Sequence, residues 1–376
     1  MKKKVLRITT VPVSLDLLLK GQLRMLNEAY EVVAVSSPGE ELEAVGKREG
    51  VRTAGIRMER QISLIQDLKS VFALIRLIRK EKPWMVHTMT PKAGLLGMLA
   101  AWLCRVPVRI HSFTGLVFPT SKGLKRKLLM ATDGLTCACA NFINPEGQGV
   151  KNDLMRFGIT RKELHIIGNG NINGIDMSYF NRTDEVMRKA ESIREIGSVT
   201  FCFVGRIVGD KGMNELAKAF KQLENDFPAC RLLLVGDFED RLDPVLPETK
   251  RMFLEDSKIK FTGWQNDIRP FLAASDVFVF PSYREGFPNV VLQAGAMGLP
   301  CIVTDINGCN EIVCHRVNGL VIPSHNESAL LEAMKFMLTD ETARKEMAGK
   351  SRELIGCRYE RSFLWNELRR VYRSLE

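Results

Sequence analysis

The sequence lacks a long apolar run. Its longest one, residues 93–104, contains twelve residues, whereas a helix that spans a bilayer needs roughly 20. The strand-like run that follows the basic start of the chain is only five residues long, too short for the apolar core of a signal peptide. We therefore expect no transmembrane helix, and a first β-strand at residues 5–9.

Cys-x-x-Cys pairs and metal-binding motifs are also missing. The nine cysteines include no Cys-x-x-Cys pair, so neither a disulfide framework nor a zinc site is indicated, and a reducing cytoplasm fits best. There is no Asp-x-Asp motif, and the acids of the polar loop at residues 237–243 lack convincing ligand spacing. The sequence predicts a protein that needs no metal ion.

Acidic residues are absent between Glu81 and Asp133, where eight basic residues occur. Residues 1–177 carry a net charge of +12 and residues 178–376 a net charge of −2. A basic half indicates an anionic partner, either nucleic acid or a membrane surface, although a solvated basic face is the alternative. Few aromatic residues and no recognisable nucleic-acid motif accompany it, which disfavours nucleic acid.

Residues 121–130 interleave basic and apolar side chains over about three helical turns, a pattern typical of a helix that lies on an anionic lipid surface. A plain surface helix over the core is the alternative. The candidate membrane or acceptor residues in it are Lys122, Lys125, Arg126 and Lys127.

Strand-like and helix-like segments alternate through the 376 residues, which predicts an α/β fold with parallel sheets. The length suits two domains. A charged, weakly apolar segment at 178–198 precedes a new βα series, so we place the domain boundary after residue 177. Helices are expected at 15–26, 64–80, 93–103, 121–130 and 213–220, and strands of the second half at 199–204, 231–235, 259–261, 276–280, 300–303 and 319–322.

The second half begins with a strand that ends in Gly205-Arg-Ile-Val-Gly-Asp-Lys-Gly212, followed by a helix. Its glycines let the backbone approach a ligand, the helix N-terminus offers free N–H groups, and Arg206 and Lys211 add two positive charges. This combination suits a pyrophosphate, with an ordinary polar loop as the alternative. The Walker A order is missing, and the glycine-rich stretch 168–176 lacks the dinucleotide fingerprint.

A second strand-to-helix turn, at residues 281–289, follows the apolar strand 276–280. Glu285 is expected at the carboxyl end of the strand, where open α/β sheets bind ligands, while Gly286 permits a tight bend and Pro288 suits a first helical position. An ordinary loop with a solvated glutamate is the alternative.

Together these segments resemble the retaining glycosyltransferases of family 4, which have the GT-B fold. The resemblance is carried by Gly-Arg-x4-Lys-Gly at 205–212, by Gly263-Trp264, and by the runs 276–282, 285–289 and 298–303. Segments 86–94, 107–111 and 173–176 resemble the bacterial capsule and lipid-linked polysaccharide branch. The family implies two Rossmann-like domains that face an interdomain cleft: an acceptor domain of residues 1–177 plus the C-terminal helix 359–376, and a nucleotide-sugar domain of residues 178–358.

The resemblance also implies residue roles. Arg206 and Lys211 match the basic pair that holds the donor diphosphate and stabilises the departing nucleotide. Glu285 matches the first acid of the Glu-x7-Glu motif, which lies near the donor sugar. His111 matches a histidine that family members place near the same sugar, with a structural histidine as the alternative. The implied donor-binding residues are Gly205, Arg206, Lys211, Glu285, Gly286, Phe287, Asn289, Gln293 and Glu311.

Position 293 departs from the family pattern, because Gln293 stands where the second acid is expected to bind the ribose hydroxyls. An amide can still accept and donate hydrogen bonds. The change removes one charge-assisted bond, worth roughly 1–2 kcal/mol more than a neutral one. We expect nucleotide binding to survive, and a dyad of two carboxylates at positions 285 and 293 is excluded.

The resulting hypothesis is a retaining transferase, independent of metal and cofactor, that moves a hexose or N-acetylhexosamine from a nucleotide diphosphate, with UDP favoured. The acceptor is expected to be a polyprenyl-diphosphate-linked glycan or polysaccharide at the inner face of the cell membrane, with the enzyme cytoplasmic and peripherally attached. A UDP-sugar epimerase of the same fold and a non-catalytic nucleotide-sugar-binding homologue are the alternatives.

Overall fold

A computed structural model describes residues 2–59, 63–241 and 243–376. The chain forms two compact units, one of residues 1–174 together with 361–376 and the other of residues 175–360. Each unit is built around a six-stranded parallel sheet with helices packed on it. This confirms the predicted α/β class.

The sheet of the first unit has the strand order β3-β2-β1-β4-β5-β6. Its strands are β1 Lys4–Ile8, β2 Glu31–Ser36, β3 Arg52–Gly55, β4 Met85–Met89, β5 Val108–Phe113 and β6 Phe142–Pro145. Its first seven helices are α1 Pro12–Leu18, α2 Gln22–Ala29, α3 Glu40–Glu49, α4 Leu64–Glu81, α5 Pro91–Leu103, α6 Gly123–Cys139 and α7 Gln148–Arg156.

The central strands of this sheet are buried along most of their length because helices cover both faces. Every residue of β4 is buried. Helix α5 is apolar nearly all round, as expected of a helix enclosed by neighbours, and it packs between α4 and α6. Within the described residues, no helix combines the length and the apolarity needed to cross a membrane.

The second unit repeats the plan with strand order β12-β11-β10-β7-β8-β9. Its strands are β7 Val199–Val204, β8 Cys230–Val235, β9 Ile259–Phe261, β10 Val277–Phe280, β11 Cys301–Thr304 and β12 Gly319–Ile322. Its helices are α8 Asp184–Glu191, α9 Met213–Asp226, α10 Pro247–Glu255, α11 Arg269–Ala273, α12 Asn289–Ala296, α13 Cys309–Ile312, α14 Glu327–Thr339 and α15 Glu341–Tyr359.

The last helix, α16 Arg361–Ser374, returns to the first unit, where it reaches a fully buried arginine of β1. The Arg7 guanidinium donates hydrogen bonds to Tyr372 Oη (2.7 Å), His87 Nδ1 (2.6 Å) and Gln22 Oε1 (2.8 Å). Burial and the neighbouring guanidinium hold the pKa of His87 well below its usual value, so its ring is neutral. Because Nδ1 accepts from Arg7, the proton is assigned to Nε2, which donates to Ser112 Oγ at 2.8 Å.

Several elements differ from the sequence-based expectation. The single helix predicted for 15–26 is two helices, α1 and α2, because Gly21 adopts a left-handed conformation (φ +82°). A Cβ there would lie 3.0 Å from the Trp365 ring of α16. The predicted helix 121–130 continues to Cys139. Pro288 precedes α12 as its cap rather than forming its first residue, and β3, β6, α3, α7 and α8 were missed.

Candidate active site

Three loops of the second unit meet at the carboxyl edge of its sheet. They follow β7, β10 and β11, which are neighbours in the sheet, and comprise residues 205–212, 281–288 and 305–308. Parallel strands end at the same edge, so side chains far apart in sequence are brought together there.

The loops approach each other so closely that two positions require glycine. A Cβ at Gly212 would lie 2.1 Å from the carbonyl oxygen of Pro281, and one at Gly308 would lie 2.4 Å from that of Gly286. Both glycines have positive φ angles, +69° and +75°, which other residues adopt only at a cost. The geometry of the site therefore depends on these two contacts.

Lys211 and Glu285 meet across the first two loops as an ion pair. Each side chain is only 16% exposed, so the pair is less screened by solvent than a surface pair. The Ser282 hydroxyl donates to Glu285 Oε1 at 2.8 Å, and the Lys211 ammonium lies 5.1 Å from the ring centre of Phe280. These contacts hold the Lys211 ammonium and the Glu285 carboxylate in the same small region.

Arg206 is more exposed, with 55% of its side chain accessible, and it pairs with Glu239. The neighbouring Asp243 carboxylate accepts the backbone N–H of Asp210 at 2.5 Å and thereby orders the turn before Lys211. Sequence reasoning treated these acids as a polar loop and missed both roles. In the described part of the chain, no group of three metal-ligating side chains could hold a metal ion.

The remaining candidate donor residues lie in these loops or in the helices that follow them. Phe287 is buried, and its ring packs on that of Tyr359 at 5.4 Å between centres. Asn289 begins α12 and Gln293 lies one turn further along it. The Glu311 carboxylate accepts the backbone N–H of Gly308 at 3.3 Å. Gly205 directly follows β7, and Gly286 lies in the loop after β10.

His111 belongs to the first unit, in the buried strand β5. Its ring is 1% exposed, shares a hydrogen bond of 2.8 Å with Thr88 Oγ1 through Nδ1 and packs edge-to-face on Phe113. Burial lowers its pKa to about 3, so the ring is neutral at physiological pH.

The four basic residues expected on a membrane-facing helix lie at or just before the start of α6. Lys122, Lys125 and Lys127 are exposed, whereas the guanidinium of Arg126 is half-buried over the ring of Phe157 at 5.0 Å. Leu124 between them is 82% exposed. The predicted alternation of basic and apolar exposed side chains is present.

Two cations, a glycine-rich turn and the first N–H groups of α9 suit the recognition of a diphosphate. The same groups would stabilise negative charge that develops on a departing phosphate. With an amide at position 293, the site contains a single carboxylate from the two motif positions, so it favours electrostatic catalysis over an acid–base pair of carboxylates.

Family models match both halves of the chain. The glycosyl transferase 4-like domain matches residues 20–170, and glycosyl transferases group 1 matches residues 198–340. The chain is 29% identical to the Staphylococcus aureus capsular polysaccharide biosynthesis glycosyltransferase CapM, over 99% of this chain and 97% of that protein. It is 32% identical to an Escherichia coli enzyme named UDP-Gal:alpha-D-GlcNAc-diphosphoundecaprenol alpha-1,3-galactosyltransferase, over 79% of this chain and 76% of that protein.

Solved structures share the fold. Anabaena HepE in complex with UDP superimposes with a TM-score of 0.83 at 17% identity, over the full length of both chains. A sucrose-phosphate synthase from Thermosynechococcus elongatus does so with a TM-score of 0.79, over 100% of this chain and 99% of that one. With two parallel sheets and both family models matched, the chain belongs to the group 1, family 4 glycosyltransferases of the GT-B fold.

Proposed function

We propose that this glycosyltransferase moves a hexose or N-acetylhexosamine from a UDP-sugar to a hydroxyl of a polyprenyl-diphosphate-linked glycan. The observation that carries the proposal is the convergence of Arg206, Lys211 and Glu285 on the carboxyl edge of the second sheet. The relatives support the substrate class, since the Escherichia coli and Campylobacter jejuni enzymes are both named for diphospho-undecaprenol acceptors. The Staphylococcus aureus relative is named for capsule synthesis.

In this proposal residues 178–358 bind the donor and residues 1–177 with 359–376 bind the acceptor. Arg206 and Lys211 hold the diphosphate, and their charges stabilise UDP as the glycosidic bond to the leaving phosphate breaks. Glu285 contacts the donor sugar, and Gln293 binds the ribose hydroxyls. The sugar contact expected of His111 is not part of the proposal, because its ring is buried in β5 of the first unit. The backbone of 205, 286 and 287, with Asn289 and Glu311, completes the donor site.

The stereochemical course is proposed to be retention. The two diphospho-undecaprenol relatives are named as alpha-1,3 transferases, and common UDP-hexoses are α-linked. A site with one motif carboxylate is consistent with attack on the face from which the phosphate leaves, with that phosphate accepting the acceptor's proton.

Attachment to the inner face of the cell membrane completes the proposal. The supporting observations are the net positive charge of the first half and the exposed Lys122, Lys125 and Lys127 around the start of α6. A lipid-linked acceptor would be met at such a surface.

The test is to incubate purified protein with labelled UDP-sugars and a polyprenyl-diphosphate-linked glycan, and to follow the label. Label in the lipid fraction is expected, with the α-anomer in the product. An epimerised free nucleotide sugar would support the epimerase alternative, and binding without turnover the non-catalytic one. Transfer should persist in EDTA, and restoration by a divalent cation after loss in EDTA would contradict metal independence.

A further inference from the structure

Helix α4 presents an apolar surface outward as well as the one that it buries. Val71, Leu74 and Ile78 are buried in the core of the first unit. On the outward side, large apolar side chains of the first three turns are 60–78% exposed. These residues, Leu64, Ile65, Leu68 and Phe72, are called the α4 apolar face.

This face needs an explanation because exposed apolar residues are normally scattered singly. Leu64, Leu68 and Phe72 follow one another at intervals of four residues, so they form a continuous stripe along one side of the helix. A stripe of this kind, separate from the buried one, indicates contact with something other than the core of its own unit.

The start of α6 lies toward the same edge of the first sheet as the start of α4. Helices α4 and α6 both pack on α5, and both begin after strands of the parallel sheet, so their first turns lie toward its carboxyl edge. An ion pair of 2.6 Å between Lys92 at the start of α5 and Asp67 in α4 fixes the first turns of these two helices together. On α6, Leu124 is 82% and Leu128 45% exposed.

The charges around this surface are almost all positive. Of the acids in α4 to α6, Asp67 is paired with Lys92, Glu81 is paired with Lys4 and Arg52, and Asp133 is buried. The exposed basic residues near the first turns of α4 and α6 are Lys69, Lys122, Lys125 and Lys127, while Arg76, Arg79, Lys80, Lys82 and Arg105 lie toward the other ends of α4 and α5. A surface that combines exposed leucine and phenylalanine with unopposed lysine and arginine matches an anionic lipid bilayer.

We infer that the α4 apolar face inserts into the membrane at the boundary between headgroups and acyl chains, while the basic residues of α4 and α6 bind anionic headgroups. The inference rests on the proposed function, because the lipid-linked acceptor of that function lies in a membrane. It adds an apolar anchor to the electrostatic attachment. The carboxyl edge of the first sheet would then lie next to the lipid surface.

The experiment measures flotation of the purified full chain with vesicles of phosphatidylcholine alone and with vesicles that also contain phosphatidylglycerol. The α4 variant is L64Q/L68Q/F72Q, and the α6 variant is K122Q/K125Q/K127Q. The matched control, I196Q/L246Q/L254Q, removes three exposed apolar side chains of the second unit. The α4 variant should bind both vesicle types about tenfold or more weakly, because three apolar side chains that would enter the bilayer are lost.

Salt separates the two contributions. At high salt the binding of the wild type and the α6 variant should converge, because exposed charges are screened, whereas the defect of the α4 variant should persist. In a Phe72→Trp variant, the added fluorescence should shift to shorter wavelength on binding and be quenched by lipids brominated near the headgroup.

The inference is overturned if the α4 variant binds vesicles as the wild type does. It is also overturned if the α4 variant instead turns a dimer into a monomer in sedimentation, since the face would then be a contact between copies of the chain. Transfer to a water-soluble acceptor should be unchanged in the α4 variant. A wild type that binds vesicles but transfers no sugar would contradict the proposed function and leave the anchor supported.

Discussion

The ammonium of Lys211 is paired with the carboxylate of Glu285, and the two residues lie 74 positions apart on neighbouring loops. A donor diphosphate would compete with Glu285 for this cation. The ion pair therefore positions Lys211 and also sets how much free energy the donor gains by binding it.

Removing the cation should impair turnover more than folding. Lys211→Ala is expected to lower kcat by about 10²-fold or more, because charge on the departing phosphate loses its stabilisation. Arg206→Ala should act in the same direction. The control is Lys218→Ala, which removes an exposed lysine of α9 whose nearest carboxylate, on Glu327, is 3.9 Å away. Near-normal turnover in Lys211→Ala would contradict its role.

Removing the acid should separate donor binding from turnover. In Glu285→Gln the Lys211 ammonium loses its carboxylate partner and becomes more available to a diphosphate. We expect UDP affinity, measured by calorimetry, to stay the same or rise, while transfer falls by about 10²-fold. The matched control is Glu332→Gln, at an exposed position. Loss of UDP binding would show that Glu285 mainly maintains the loop.

Restoring the family acid at position 293 should strengthen nucleotide binding. A carboxylate would add a charge-assisted hydrogen bond to a ribose hydroxyl, so Gln293→Glu should tighten UDP binding by about 5–30-fold and retain activity. Calorimetry with UDP measures the first effect and a transfer assay the second. Complete inactivity would mean that position 293 has a role other than ribose binding.

A buried carboxyl in α6 should make stability depend on pH. Burial raises the pKa of Asp133 from 3.8 to about 7, so the folded chain keeps this proton where the unfolded chain has lost it. Its contribution to stability is present below pH 3.8 and is lost as the pH rises toward 7. Asp133→Asn should therefore stabilise the protein more at pH 8 than at pH 5, by about 2 kcal/mol.

Urea unfolding at the two pH values measures this difference. The exposed Asp226, replaced by asparagine, is the control and should give no comparable dependence on pH. Buried histidines act in the opposite direction, because the lowered pKa of His111 costs stability as the pH falls below about 6.5. They are present in both variants, so the comparison with wild type removes their effect. An equal gain at both pH values would contradict the prediction for Asp133.

Sequence alone predicts the parts of the site that local rules govern. Lys211 and Glu285 each lie in a loop directly after an apolar strand, and parallel strands end at one edge, so their proximity follows once the sheet is recognised. The pairing of Arg206 with Glu239 does not follow, because it depends on how two loops fold over that edge.

Other features depend on packing between distant segments. The break between α1 and α2 occurs where Trp365 lies against Gly21, a contact that no local pattern reveals. Similarly, a histidine at the end of a strand could be a ligand or a core residue, and the burial of His111 is set by the helix above it, where Gly94 leaves space for the ring. The exposed stripe of α4 has the composition of a core helix and is distinguished only by its accessibility.

The hydrogen bond between Arg7 and Tyr372 joins residues that are 365 positions apart. During synthesis on a ribosome, almost the whole chain must therefore be made before the arginine of the first strand can form this hydrogen bond. The second unit, contained within residues 175–360, is complete before that helix emerges. We therefore expect the second unit to finish folding first in the cell, although synthesis of the first unit begins earlier.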